Sequence, residues 1–168
     1  MEQIKLGKKV RVSDPCYGTK VWCAGIVNNV KEGFYDVEVE MSDEGMWGNR
    51  VKSLAVMHSE YKDVVCFTEV ADFEVGVDSG QAGFYDEDYY QQYHTEADYN
   101  DDWYDEICNL TLSKEQYGTK DEKCVVSSSG YGDGGYTCYI ARNDNHEVIA
   151  LMIEFITDGN DDYEENDE

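Results

Sequence analysis

Residues 34–58 read FYDVEVEMSDEGMWGNRVKSLAVMH, and this stretch decides the fold. From Phe34 to Met41 polar and apolar residues alternate, with Tyr35, Val37, Val39 and Met41 on one face. A period of two is the signature of a half-buried strand. Ser42-Asp43-Glu44-Gly45 turns the chain, and Asn49 to His58 returns as a second strand. The segments upstream fit the same pattern. Lys8 to Ser13 (KKVRVS) alternates until Asp14-Pro15 breaks it, and Val21 to Val27 (VWCAGIV) is a second apolar run. Together the four segments predict an antiparallel meander or a pair of hairpins.

Downstream the character changes twice. Glu74 to Ser79 predicts a short strand, and Ala82 to Tyr85 a turn or strand. Asp86-Glu87-Asp88 can cap and open a helix (DEDYYQQYH), because carboxylates favour helix N-termini. A second helix is expected from Asp101 to about Leu112. Strands then resume at Glu122 to Ser128, Tyr136 to Arg142 and Glu147 to Phe155, separated by the Gly-rich segment 129–135 and the turn Asn143 to His146. The run EVIALMIEF is the most apolar of all and predicts a central strand. Helices do not alternate with strands, so the expected fold is mainly β. It is an antiparallel β-sandwich or partly open barrel with two short inserted helices. One domain is expected over residues 1–156, with a helical acidic insertion at about 86–116. The segment 157–168, with seven acids among twelve residues, is expected to be a disordered tail.

Charge is the loudest functional signal. The chain has 168 residues, and 37 Asp and Glu against 13 Lys and Arg give a net charge of −24. Such a field repels phosphates, which argues against direct nucleic-acid binding and against anionic membrane surfaces; it favours cations and basic protein surfaces. Between Asp86 and Glu106 there are nine acids and no Lys or Arg, interleaved with Tyr89, Tyr90, Tyr93, Tyr99, Trp103 and Tyr104. Two roles follow for this segment. It is an amphipathic insertion whose aromatics pack on the sheet, or a dedicated partner surface built from Asp86, Glu87, Asp88, Asp98, Asp101, Asp102, Trp103, Asp105 and Glu106.

The N-terminal Met1-Glu2-Gln3-Ile4-Lys5 leads into no apolar run, and no stretch approaches the roughly 18 apolar residues of a membrane helix. A cytoplasmic location and reduced thiols are therefore expected. The six cysteines, none in a C-x-x-C pair, read as small core residues rather than zinc ligands or disulfides. No cofactor is expected, although a bound divalent cation would suit the Asp-rich loops.

Three polar clusters interrupt the strands: Ser13 to Tyr17, Val77 to Gly83, and Ser129 to Tyr136. Each sets an Asp beside Gly, Ser or Pro at a predicted strand end, where backbone can approach a ligand closely. The candidate ligand-binding residues are Asp14, Asp78, Ser79, Gly80, Gln81, Gly132, Asp133, Gly134 and Tyr136. Each loop also has a purely structural reading: Asp14-Pro15 as an Asx-turn, Asp133-Gly134 as a hairpin turn. The patterns of calcium loops, dinucleotide fingerprints and hydrolase elbows are absent. No His stands at a spacing that selects a nucleophile partner; His58 is expected in the core and His146 in solvent.

Taken in order, SDP (13–15), WGNRV (47–51), GVDSGQAGFYD (76–86) and SGYGDGGY (129–136) resemble a bacterial and phage family, domain of unknown function 4241. The resemblance spans about Val10 to Phe155. It implies no activity. It implies that Asp78, Gly80, Asp86, Gly132, Asp133, Gly134 and Tyr136 serve a shared fold or site, and it is compatible with a phage or mobile-element origin.

Three functions fit these residues. One is a non-enzymatic binding protein whose acidic surface engages a basic partner, such as a phage accessory protein inhibiting a host defence protein. Another is a binder of a small ligand, nucleotide signal or cation in the Gly/Asp loops. The third is a metal-dependent hydrolase using Asp78 and Asp133.

Overall fold

The alternation of sequence becomes an alternation of burial. The computed structural model describes residues 2–157. Strands β4 (Gly33–Asp43) and β5 (Asn49–His58) form a long antiparallel hairpin. Tyr35, Val37 and Val39 pair with His58, Val56 and Leu54 and turn inward, while Glu38 and Glu40 face water. The expected inward face ends at Val39. The ladder shifts register between Glu40 and Met41, and Met41 is 41% exposed near the hairpin tip. Met46 and Trp47 at the tip are exposed as well.

The hairpin belongs to a six-stranded antiparallel sheet in the order β1-β4-β5-β11-β10-β6. Its other members are β1 (Gln3–Leu6), β6 (Glu69–Val77), β10 (Gly134–Arg142) and β11 (Val148–Glu154). The apolar β11 lies between β5 and β10, the central position expected of it. A second, five-stranded sheet has the order β3-β2-β7-β9-β8. It contains β2 (Val10–Ser13), β3 (Gly25–Val27), β7 (Gln81–Asp86), β8 (Tyr117–Lys120) and β9 (Cys124–Ser128). Val12, Val27, Phe84 and Val125 of this sheet share one core with Val37, Val56, Leu151 and Ile153 of the other. The molecule is a β-sandwich of two open sheets, so the barrel alternative falls away.

The first four predicted segments form two hairpins, β2–β3 and β4–β5, one in each sheet, and not a single meander. The Asp133-Gly134 turn also differs from expectation. It joins β9 of one sheet to β10 of the other, so it crosses the sandwich instead of closing a hairpin. Strand β6 is longer than the predicted 74–79, and β7 is a full strand. The four-residue edge strands β1 and β8 are too short to show a period.

Between β7 and β8 the chain forms α1 (Glu87–Gln92) and α2 (Asp101–Thr111). Asp86 caps α1, accepting from Tyr89 N at 3.3 Å, and also accepts from Gly7 N at 2.9 Å. Asn100 caps α2 by accepting from Trp103 N at 3.0 Å. Both helices pack on the five-stranded sheet through Tyr89, Tyr90, Trp103 and Ile107, against Tyr85, Cys124 and Val126. Arg11, itself buried, joins them with two 2.8 Å bonds to Glu87 and lies over the Tyr90 ring. Aromatic pairs of this kind add about 0.5–1.5 kcal/mol each beyond area burial.

Cys124 and Cys138 are core residues as expected, but Cys66 is exposed and Cys16, Cys23 and Cys108 are half-buried. His58 is buried, with Nε2 3.2 Å from Glu32 O, and His146 is exposed. Among the described residues no helix is long and apolar enough to cross a membrane. The acidic segment beyond Thr157 lies outside the described residues.

Candidate functional site

The three polar loops meet, and Asp14 is the reason. Its carboxylate is fully buried at the end of β2. One oxygen accepts from Asp78 N at 2.8 Å and Ser79 N at 2.7 Å. The other accepts from Cys16 N at 2.8 Å, closing the expected Asx-turn, and from Ser79 Oγ at 2.7 Å. Four donors saturate the carboxylate, so Asp14 is a structural hub and has no capacity left for a ligand. The second loop is tied to the third by Ser129 N, which donates to Gly80 O at 3.1 Å. In the third loop the Gly132 carbonyl accepts from Ser129 Oγ at 2.8 Å and from Tyr136 OH at 2.6 Å. Gly80 and Gly132 have φ of 73° and 109°, left-handed values that a side chain would strain.

This bonding presents Asp78 and Asp133 at one place. The β6–β10 ladder ends on the pair Val77 and Gly134, so Asp78 and Asp133 flank that end. Both are exposed, and among the described residues neither side chain takes a hydrogen bond or ion pair. They line a cleft of about 640 Å³ together with Glu74, Tyr17, Trp22 and the Gly134–Gly135 backbone. None of the described lining residues is Lys or Arg. Trp22 is 91% exposed at its rim. Burial, with Cys23 hydrogen-bonded beside it, pushes the Tyr17 phenol upward, so it stays neutral. The cleft is therefore an acidic trough with an aromatic wall. It suits a cation and would oppose a phosphate.

The other candidates hold the site rather than face it. Gln81 is buried; its Oε1 accepts from Thr111 Oγ1 at 2.7 Å, and its Nε2 donates to Ser79 Oγ at 3.2 Å, linking α2 to the loop. Tyr136 fixes Gly132. A thiol nucleophile is not on offer at Cys16, because burial and the adjacent Asp14 push its pKa far up. Among the described residues no group of three or more His, Cys, Asp and Glu is placed to hold a metal ion.

The acidic insertion divides cleanly. Asp88, Asp98, Asp101, Asp102, Asp105 and Glu106 are exposed. Trp103 is 2% exposed and belongs to the helix–sheet packing, not to a partner surface. Asp86 and Glu87 are spent on the α1 cap and on Arg11, and Glu106 bonds Lys120 at 2.5 Å. That leaves Asp101, Asp102 and Asp105 as carboxylates on the outer side of α2.

Sequence reasoning missed Glu74 and Trp22. The run VWCAGIV reads as a buried strand from end to end, but only Gly25–Val27 pairs. No local signal marks Trp22 as exposed. Compared with known proteins, residues 8–153 match one family model, described as "Protein of unknown function (DUF4241)". No curated protein and no solved structure matches the chain.

Proposed function

The chain belongs to the DUF4241 family, and on that premise we propose that it is a non-enzymatic binding protein that engages a basic protein surface through the outer side of α2. The observation that carries this reading is the division of α2 itself. Trp103, Ile107 and Thr111 seat the helix on the sandwich, and Asp101, Asp102 and Asp105 stand in water on that mount. Charges held on a rigid support meet a complementary surface without first losing conformational freedom. They also steer encounter from a distance. The concrete form is an accessory protein of a phage or mobile element that occupies the nucleic-acid groove of a host defence protein. The net charge of −24 supports it, since the groove's own ligand is a polyanion.

The test is competition. The full chain should displace double-stranded DNA from a non-specific DNA-binding protein at 50 mM NaCl, and its direct binding to that protein, measured without DNA, should be about tenfold weaker at 200 mM. A D101N/D102N/D105N variant should lose most of the low-salt advantage. Direct binding that is indifferent to salt and to this variant sinks the reading.

A second reading has its own observation, the convergence of Tyr17, Trp22, Glu74, Asp78 and Asp133 on one cleft. There a small organic cation would lie against Trp22 with carboxylates around it. Native mass spectrometry of the purified chain would reveal a co-purifying amine, absent from a D78N/D133N variant. The hydrolase reading has no such support beyond the Asp78 and Asp133 pair.

A further inference from the structure

Both helices cover the five-stranded sheet. Among the described residues, the outer face of the other sheet is shielded at one end by the segment 59–67 and, at the edge strand β6, by Cys23 over Gly76. In the segment 59–67, Tyr61, Val65 and Phe67 pack on Met57, Ala141 and Ala150. Over the rest of that face the strand register lines up two rows across β4, β5, β11, β10 and β6. The first is Glu38, Ala55, Met152, Tyr139 and Val70. The second is Glu40, Ser53, Glu154, Thr137 and Glu74. The first row is apolar beyond Glu38, and Val70 is 59% exposed. The second sets a carboxylate on alternate strands, at β4, β11 and β6. Tyr139 OH donates to Glu154 at 3.3 Å and joins the rows. Neither row contains Lys or Arg.

The spacings limit what can sit here. On β4, β5, β11 and β10 the rows are two residues, about 7 Å, apart; on β6 the ladder shifts between Thr137 and Tyr139, so Val70 and Glu74 stand four residues apart with the exposed Asp72 between them, and carboxylates on alternate strands recur at roughly 10 Å. Two turns of an α-helix span about 10.8 Å. A helix arrives with its backbone already hydrogen-bonded. An extended peptide laid on a sheet face would find side chains, and its own N–H and C=O groups would go unmet. A second copy of this chain would bring the same glutamates and another −24 charge. We propose that this face docks a basic amphipathic helix of a partner protein. The helix's apolar stripe lies on Met152, Tyr139 and Val70, and its Lys or Arg residues, seven apart, meet Glu40, Glu154 and Glu74. This surface is on the opposite side of the sandwich from α2, so it stands or falls apart from the α2 reading.

The probe is a synthetic three-heptad leucine/lysine helix, with a scrambled peptide of equal composition as control. Both are titrated against the full chain by fluorescence anisotropy and by methyl NMR. The heptad peptide should bind about tenfold tighter than the scramble and shift the Met152 and Val70 methyl signals. An E40Q/E74Q/E154Q variant should weaken it by about tenfold, as loss of three exposed pairs implies. D101N/D102N/D105N should leave it within about twofold. An E40K/E74K/E154K variant should gain binding to the same peptide with Glu in place of Lys, which an unfolded variant could not do. The proposal is overturned by equal binding of the scramble, by unmoved Met152 signals, or by failure of the charge swap. It is also overturned if the free chain sediments as a dimer that M152R dissolves, since the face would then belong to a second copy.

Discussion

At the scale of single residues, Asp14 shows how one buried carboxylate can organise a site it does not itself serve. Its four donors come from three positions in two loops, and three of those donors are backbone amides. Asp14→Ala strands them in a dry place, at about 1–3 kcal/mol for each buried unsatisfied group. Urea unfolding of D14A should therefore show a loss of about 3–5 kcal/mol, in the range of a broken buried network. A loss within about 0.5 kcal/mol would mean the loops are held by something else. Local sequence made half of this legible. The Asx-turn to Cys16 follows from Asp14-Pro15 alone, but the bonds to Asp78 and Ser79 span more than sixty positions and leave no local trace. The cysteines carry the same lesson. Cys124 is buried and its thiol is pushed up to about 12, while Cys66 is exposed. Nothing in composition separates the two.

At the scale of elements, period and caps were the readable part. The alternation in β4 and β5, the apolar run of β11 and the acid-led start of α1 all correspond to observed elements. Helix α2 begins where Asn100 can take the Trp103 amide. Asn100→Ala should cost about 1 kcal/mol in a chemical-denaturation series, the usual worth of an N-cap, and should leave the β-sheet signal in circular dichroism unchanged. No change would mean that Trp103 packing alone sets the helix start. Exposure within an element was less readable. Trp103 and Trp22 are the same residue type among comparable neighbours, yet one is 2% and the other 91% exposed. The difference comes from the sheet under α2, whereas in the segment 21–24 the neighbour Cys23 is tied to Gly76 and Trp22 is left facing water.

At the scale of the whole molecule, 37 Asp and Glu against 13 Lys and Arg leave most carboxylates with no cation to pair with, whatever pairs form. Arg11 pairs with Glu87, Lys62 with Asp36, Lys120 with Glu106 and Arg142 with Glu69. The excess carboxylates repel one another and load the folded state. Raising NaCl from 0.01 to 0.15 M shortens the Debye length from about 30 to about 8 Å. Thermal unfolding should accordingly shift upward by several degrees. A Tm that falls over this interval would show that these ion pairs outweigh the repulsion.

The sequence alone determined the longer secondary elements, the β class, the acidity and the presence of three Asp-bearing loops, because periods, turn chemistry and charge are local or additive. Only tertiary structure decided which strands share a sheet, that the loops meet around one cleft, and that carboxylates and apolar side chains line up in rows across five strands. Alternation tells each strand which face to bury but not which neighbour to take, so register, and every site built on register, is chosen only when the chain closes on itself.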